Sequence, residues 1–178
     1  MSKVKVLLCS ALLFSVSPMS YSADPNNLSE QQGLITFTGA LTSETCEIDG
    51  IKNITVELPK LSVDTFKVAG TEAGSRDFTI SVKNCSATLK SIAAHFEAVG
   101  GSEKDTVTGN LKNTLQGGAN IQVRLYKGQK QVKVGETSEL FPLVGNAAKM
   151  TFAGGYYSTG AATAGAVEAK AIYTIAYP

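Results

Sequence analysis

Few side chains in this sequence could do chemistry. Its one histidine, His95, sits in the apolar run IAAHFEAV, and its three cysteines are Cys9, Cys46 and Cys85. A nucleophile with its base, or a histidine-rich metal site, needs partners that this set does not supply. His95 is therefore read as a partly exposed structural residue on a strand. The carboxylates are scattered, with Glu44, Glu47 and Asp49 around Cys46, Glu103 and Asp105 in one loop, and Glu136 and Glu139 in another. Two of them brought together could act as acid and base. No spacing singles out a pair, and solubilising loop charges are the plainer reading. The glycine-rich stretch AGGYYSTGAATAGA lacks the Gly-Lys-Ser/Thr ending and following helix of a phosphate cradle, so it reads as a turn between strands. Tyr156, Tyr157, Tyr173 and Tyr177 could be a ligand platform, but in a sheet such residues more often pack across strands and into a core. No catalytic residue, metal ligand or cofactor is assigned, and enzyme activity is not expected.

The compartment follows from the N-terminus. Lys3 and Lys5 precede the apolar run VLLCSALLFSV, Pro18 ends it, and Ser20 and Ser22 place small residues where a signal peptidase reads them. Residues 1–22 are thus expected to be a secretory signal peptide cut after Ser22, with Ala23 as the other plausible cut. The run is short for a bilayer span, which needs about 20 apolar residues. Cleavage removes two lysines and none of the fifteen acids, leaving fourteen bases against them. That near-neutral balance, with no basic cluster, gives no reason to expect nucleic acid or an anionic membrane as partner. Cleavage also removes Cys9. The remaining pair, Cys46 and Cys85, reads as a disulfide in an oxidising compartment, two independent buried thiols being the alternative.

The elements that must position these residues are strands. GLITFTGAL, NITVELP, DFTISVKNC, SIAAHFEAV, NIQVRLYK, KMTFAGGYY and the C-terminal AVEAKAIYTIAYP carry a period of two or a short apolar run. AGTEAGS, GGSEKD, LQGGAN, VGNAA and STGAATAGA separate them as turns. No stretch holds helical recurrence over three turns, and KLSVDTFKVAG is at most a single helical turn or an irregular crossing. The pattern is all-β, a single sandwich, most simply immunoglobulin-like. Tryptophan is absent, which excludes the Cys–Trp–Cys core of antibody domains. The polar stretch ADPNNLSEQQ supplies no packing face. The last strand runs to Pro178 with no charge or turn to blunt its edge, although edge strands normally carry such protection.

The polar tail running into GLITFTGAL, the cysteine in TSETCEIDG, the second cysteine in AGSRDFTISVKNCS, and the ending GGYYSTGAATAGAVEAKAIYTIAYP with its near-terminal tyrosine together resemble the pilins of the chaperone–usher pathway, the type 1-like fimbrial subunits of Gram-negative bacteria. The resemblance spans essentially the whole chain beyond the signal. It implies an immunoglobulin-like domain over residues 39–178 that lacks its last strand, preceded by an N-terminal donor-strand extension over residues 23–38.

The resemblance further implies partners. A periplasmic chaperone would lend a strand beside the C-terminal strand, at Tyr173, Ile175, Tyr177 and the carboxylate of Pro178. At the outer-membrane usher that strand would be exchanged for the extension of the next subunit, with Gln31, Gly33, Ile35 and Phe37 as the inserted face. The implied function is structural: a polymerising subunit of a surface fimbria that supports adhesion, exported through the periplasm, with other pilin subunits as head-to-tail partners and no membrane span. A minor or adaptor pilin, or a secreted immunoglobulin-like module recognising a host glycan, is the alternative.

Overall fold

In the computed structural model, residues 33–39, 41, 43 and 45–178 are described. They fall into two units that divide between Leu41 and Thr42. Residues 33–39 belong to no ladder. The strand pattern of GLITFTGAL is therefore not matched by a strand among its described residues, and its large apolar side chains are exposed, Ile35 by 77% and Phe37 by 91%.

The described residues of the second unit form nine strands and one short 3-10 helix: β1 (Glu47–Asp49), the helix (Val63–Phe66), β2 (Glu72–Lys83), β3 (Ser91–Ala98), β4 (Leu111–Lys112), β5 (Ile121–Lys127), β6 (Lys130–Val132), β7 (Phe141–Pro142), β8 (Ala148–Ser158) and β9 (Ala171–Ala176). One sheet runs β1-β2-β8-β5-β4, with β6 also on β5. The other runs β7-β3-β9. All ladders are antiparallel. The five strands with a clear period-two or apolar pattern after Pro59 became β2, β3, β5, β8 and β9. AGTEAGS departs from expectation. Its turn is shorter than the glycines suggest, because β2 already starts at Glu72 and absorbs Gly74 in a register shift between Ala73 and Arg76.

The alternation decides what is buried. Ile80 and Val82 of β2, Ile92, Ala94 and Phe96 of β3, Leu125 of β5, and Met150 and Phe152 of β8 form one core between the sheets. Phe96 crosses from the small sheet to meet Phe152 edge-on, with ring centroids 5.0 Å apart, and Phe78 stacks on Phe152 at 5.9 Å. Burying such a ring is worth about 1.5–3 kcal/mol. The helix is set by Ser62, whose hydroxyl accepts the Asp64 N–H at 3.2 Å, and it turns Phe66 inward against Tyr156. Cys46 and Cys85 are joined by a disulfide.

The outer face of the larger sheet holds a closed polar network. The Gln122 amide donates to Asp105 at 2.9 Å and accepts from the Thr108 hydroxyl and the Asn110 amide. Arg124 bonds Asn110 and Glu72 and lies 3.7 Å above the Tyr157 ring. Because every member has a partner, the buried Asn110 and Gln122 carry no desolvation penalty for unmade bonds. Burial and a bond to Glu72 push the Tyr126 hydroxyl upward.

Candidate functional site

Strand β9 borders the small sheet, and its ladder shows which way its backbone faces. Ala94 and Phe96 of β3 give their carbonyls to Ser138 and Gly135, at 2.8 and 2.7 Å, on the side away from β9. In an antiparallel pair the residues alternate between bonding the partner and facing away from it. Ala93, His95 and Glu97 are therefore the β3 residues that bond β9, opposite Ala176, Thr174 and Ile172. The bond from the Val99 N–H to the Lys170 carbonyl, 3.1 Å, keeps the same parity. Ala171, Tyr173 and Ile175 then turn their N–H and C=O groups toward the other edge. Among the described residues no strand pairs there.

That edge borders a groove of about 1040 Å³. One lip runs from Val167 into β9 as far as Tyr173, the opposite lip from Lys52 to Leu58, and the floor carries Phe78, Phe96, Leu111 and Leu125. The opposite lip is a correction. The alternation of Asn53–Pro59 predicts a strand, but the segment enters no ladder. Its pattern is met by half-burying Val56 and Leu58 along the groove while the backbone passes without a neighbouring strand. Both lips are thus strand-like in sequence and short of partners.

Two tyrosine hydroxyls tie β9 and the residues just after it to the stretch from Cys46 to Lys52. Tyr173 donates to the Lys52 carbonyl at 2.9 Å, and the Cys46 N–H donates to the Tyr177 hydroxyl at 2.9 Å. Burial pushes the Tyr173 hydroxyl above its ordinary pKa, which keeps it a donor. Of the residues assigned to the groove edge from sequence, Tyr173 lines the groove, Ile175 and Tyr177 pack against the core, and Pro178 is exposed. Of those assigned to the inserted face, Gly33, Ile35 and Phe37 are exposed, and Gln31 lies outside the described residues.

The chemistry-bearing residues do not converge. His95 is on β3, with Nε2 2.7 Å from Glu97 and Nδ1 3.2 Å from the Thr137 hydroxyl. Among the described residues no three His, Cys, Asp or Glu side chains are grouped to hold a metal. Tyr156 packs on Phe66 and also lines the groove, and Tyr157 lies under Arg124.

Residues 35–178 match the family profile described as Fimbrial protein. The chain belongs to the fimbrial protein family. Among curated relatives it is 35% identical to the F17 fimbrial protein of Escherichia coli, across 82% of this chain and 87% of that one. It is 35% identical to the major fimbrial subunit SMF-1 of Stenotrophomonas maltophilia, across 88% and 98%. The fold is similar to that of the P pilus rod subunit PapA, with a TM-score of 0.60 and 18% identity, covering 75% of this chain and 99% of that structure. The all-β sandwich is thus of the immunoglobulin-like pilin type. This fimbrial subunit is a structural component of a pilus and is exported to the cell surface as part of it. Among the described residues no helix is long and apolar enough to cross a membrane.

Proposed function

We propose that this fimbrial subunit polymerises by donor-strand exchange, its β9 edge accepting the residue 31–37 segment of the next subunit. The observation that carries the reading is the outward parity of Ala171, Tyr173 and Ile175 beside an apolar groove that no strand among the described residues fills. An inserted strand meets two needs together: its main chain bonds the open edge and its alternate side chains fill the groove. Gly33, Ile35 and Phe37 alternate in that way and are exposed for donation. With about 1.5–3 kcal/mol per large buried side chain and about 1 kcal/mol per net hydrogen bond, the joint is strong.

Each subunit donates one end and accepts at the other, so the contact is head-to-tail and does not close on itself. Such a contact builds a filament. Before assembly the same edge needs cover, since an open strand edge recruits other chains. A periplasmic chaperone would supply that cover at Tyr173, Ile175, Tyr177 and Pro178, and an outer-membrane usher would be the place of exchange.

The test is expression of the full chain and of a chain lacking Ala23–Phe37, each with a cognate periplasmic chaperone. The shortened chain should form a soluble equimolar chaperone complex yet be unable to donate a strand to a neighbouring subunit. Normal fibre growth from the shortened chain would refute donation by this segment.

A further inference from the structure

The acceptor edge has a free middle, but its start is held by a side chain that makes no use of the edge. Asn113 lies in the loop after β4, far in sequence from the segment leading into β9. Its amide donates to the Gly117 carbonyl at 3.0 Å and to the Ala166 carbonyl at 3.1 Å. Its oxygen accepts the Leu115 N–H at 3.1 Å and the Glu168 N–H at 2.9 Å. An asparagine side chain has two donor hydrogens and two acceptor lone pairs. All four are occupied here, two within its own loop and two on the segment entering β9. Thr114 adds main-chain and hydroxyl bonds to the Glu168 carbonyl, at 2.9 and 3.1 Å.

The two loops also meet backbone to backbone. A Cβ on Gly165 would lie 2.2 Å from the Gly118 nitrogen, and one on Gly118 would lie 3.1 Å from both the Ala166 carbonyl and the Val167 side chain. Val167 and Glu168, held between the two bonds from Asn113, line the groove just ahead of β9.

We infer that Asn113 is a positioning residue for strand uptake: it fixes Ala166–Glu168 so that the β9 edge is laid out in advance for an incoming strand. The inference rests on the donor-strand reading above. A preset edge spares the incoming strand the cost of ordering the acceptor. Without Asn113 the start of β9 must be ordered during uptake, and the end of the groove near Val167 is lost first. Asn113→Asp keeps the acceptors but sets a carboxylate oxygen against the Gly117 and Ala166 carbonyls in place of the donors, so it should be impaired at least as much as Asn113→Ala.

The experiment uses the chaperone-covered full chain from Ala23 and a fluorescent synthetic peptide of residues 29–41, with uptake in exchange for the chaperone followed by anisotropy. Two further peptides are trimmed by three residues at one end or the other. Wild type should take up the full peptide. Asn113→Ala should do so about ten-fold more slowly or more weakly, and Asn113→Asp by at least that factor. Trimming the peptide end that lies near Val167 should make wild type and Asn113→Ala indistinguishable, whereas trimming the far end should leave their ratio unchanged. A general loss of stability would lower uptake of all three peptides alike, and that result overturns the positioning role. Equal uptake of the full peptide by wild type and Asn113→Ala overturns it too. Failure of the wild type to take up any peptide instead overturns the donor-strand reading itself.

Discussion

The hydroxyl of Tyr177 accepts the main-chain N–H of Cys46 at 2.9 Å, so the penultimate residue of the chain is bonded to one end of the disulfide. Tyr173 makes a parallel link one strand-turn earlier, from its hydroxyl to the Lys52 carbonyl. Between them the two tyrosines fasten β9 and the residues after it to the stretch from Cys46 to Lys52 while leaving the backbone edge of β9 open. Tyr177→Phe keeps the ring in the core and strands the Cys46 N–H. A partly buried donor left without its partner costs about 1–3 kcal/mol. Denaturant unfolding of the assembled fibre should show a loss of that order, with no change in fold.

The disulfide closes a loop with a sequence separation of 39. The chain-entropy account gives roughly 4 kcal/mol for a loop of that size, and removing a native disulfide from a small secreted domain typically costs about 2–5 kcal/mol. Cys46→Ala with Cys85→Ala should therefore lower the unfolding free energy by several kcal/mol. The yield of chaperone-bound subunit should drop with it, as measured on a gel-filtration column.

Acid should weaken the outer polar network by protonating Asp105. The Thr108 N–H, helped by the Val107 N–H and the Gln122 amide, holds this carboxyl below its ordinary value of 3.8 against the opposing effect of burial. The unfolded chain then binds the proton at higher pH than the folded one. The contribution to stability is complete above the ordinary carboxylate range and is lost as the pH falls through the lower, folded-state pKa. Unfolding midpoints measured across the acid range should show this slope in the wild type and a shallower one in Asp105→Asn.

Donation should depend on one face of the segment. Phe37→Ser removes a large side chain from the face proposed to enter the groove, and the joint should lose about 1.5–3 kcal/mol. Thr36→Ser and Thr38→Ser change the other face and should leave it within about 0.5 kcal/mol. Fibre dissociation in guanidinium separates the two outcomes. Equal effects on both faces would contradict the alternation.

Gly165 faces backbone rather than a flexible side chain, so a rotamer change cannot relieve an added Cβ. Gly165→Ala should destabilise the subunit by roughly 2–4 kcal/mol, at the severe end for a single methyl group. Thermal unfolding of the strand-complemented subunit checks it.

What the sequence disclosed and what it hid have physical causes. Period two is readable over eight residues, so β3 and β8 stand out. Strands β1, β4, β6 and β7 are two or three residues long and carry no period at all. Asn53–Pro59 has the period without a ladder, because alternation reports which side chains face the core and says nothing of whether the backbone has a neighbour. The groove follows from that difference. The near-terminal strand and its tyrosines were legible, but their hydroxyl bonds to Lys52 and Cys46 span more than a hundred residues of sequence. Asn113 gave no signal, since an asparagine before a glycine-rich turn looks like any loop residue. Its meaning lies in contacts 53 and 55 residues away.

The most direct measurement is residue-resolved amide hydrogen exchange along β9 in freshly diluted monomer and in assembled fibre. The N–H groups of Ile172, Thr174 and Ala176 bond β3 and should be protected in both. Those of Ala171, Tyr173 and Ile175 should exchange quickly in the monomer and at least ~100-fold more slowly in the fibre. Equal protection of these three before and after assembly would contradict an edge completed by a neighbour.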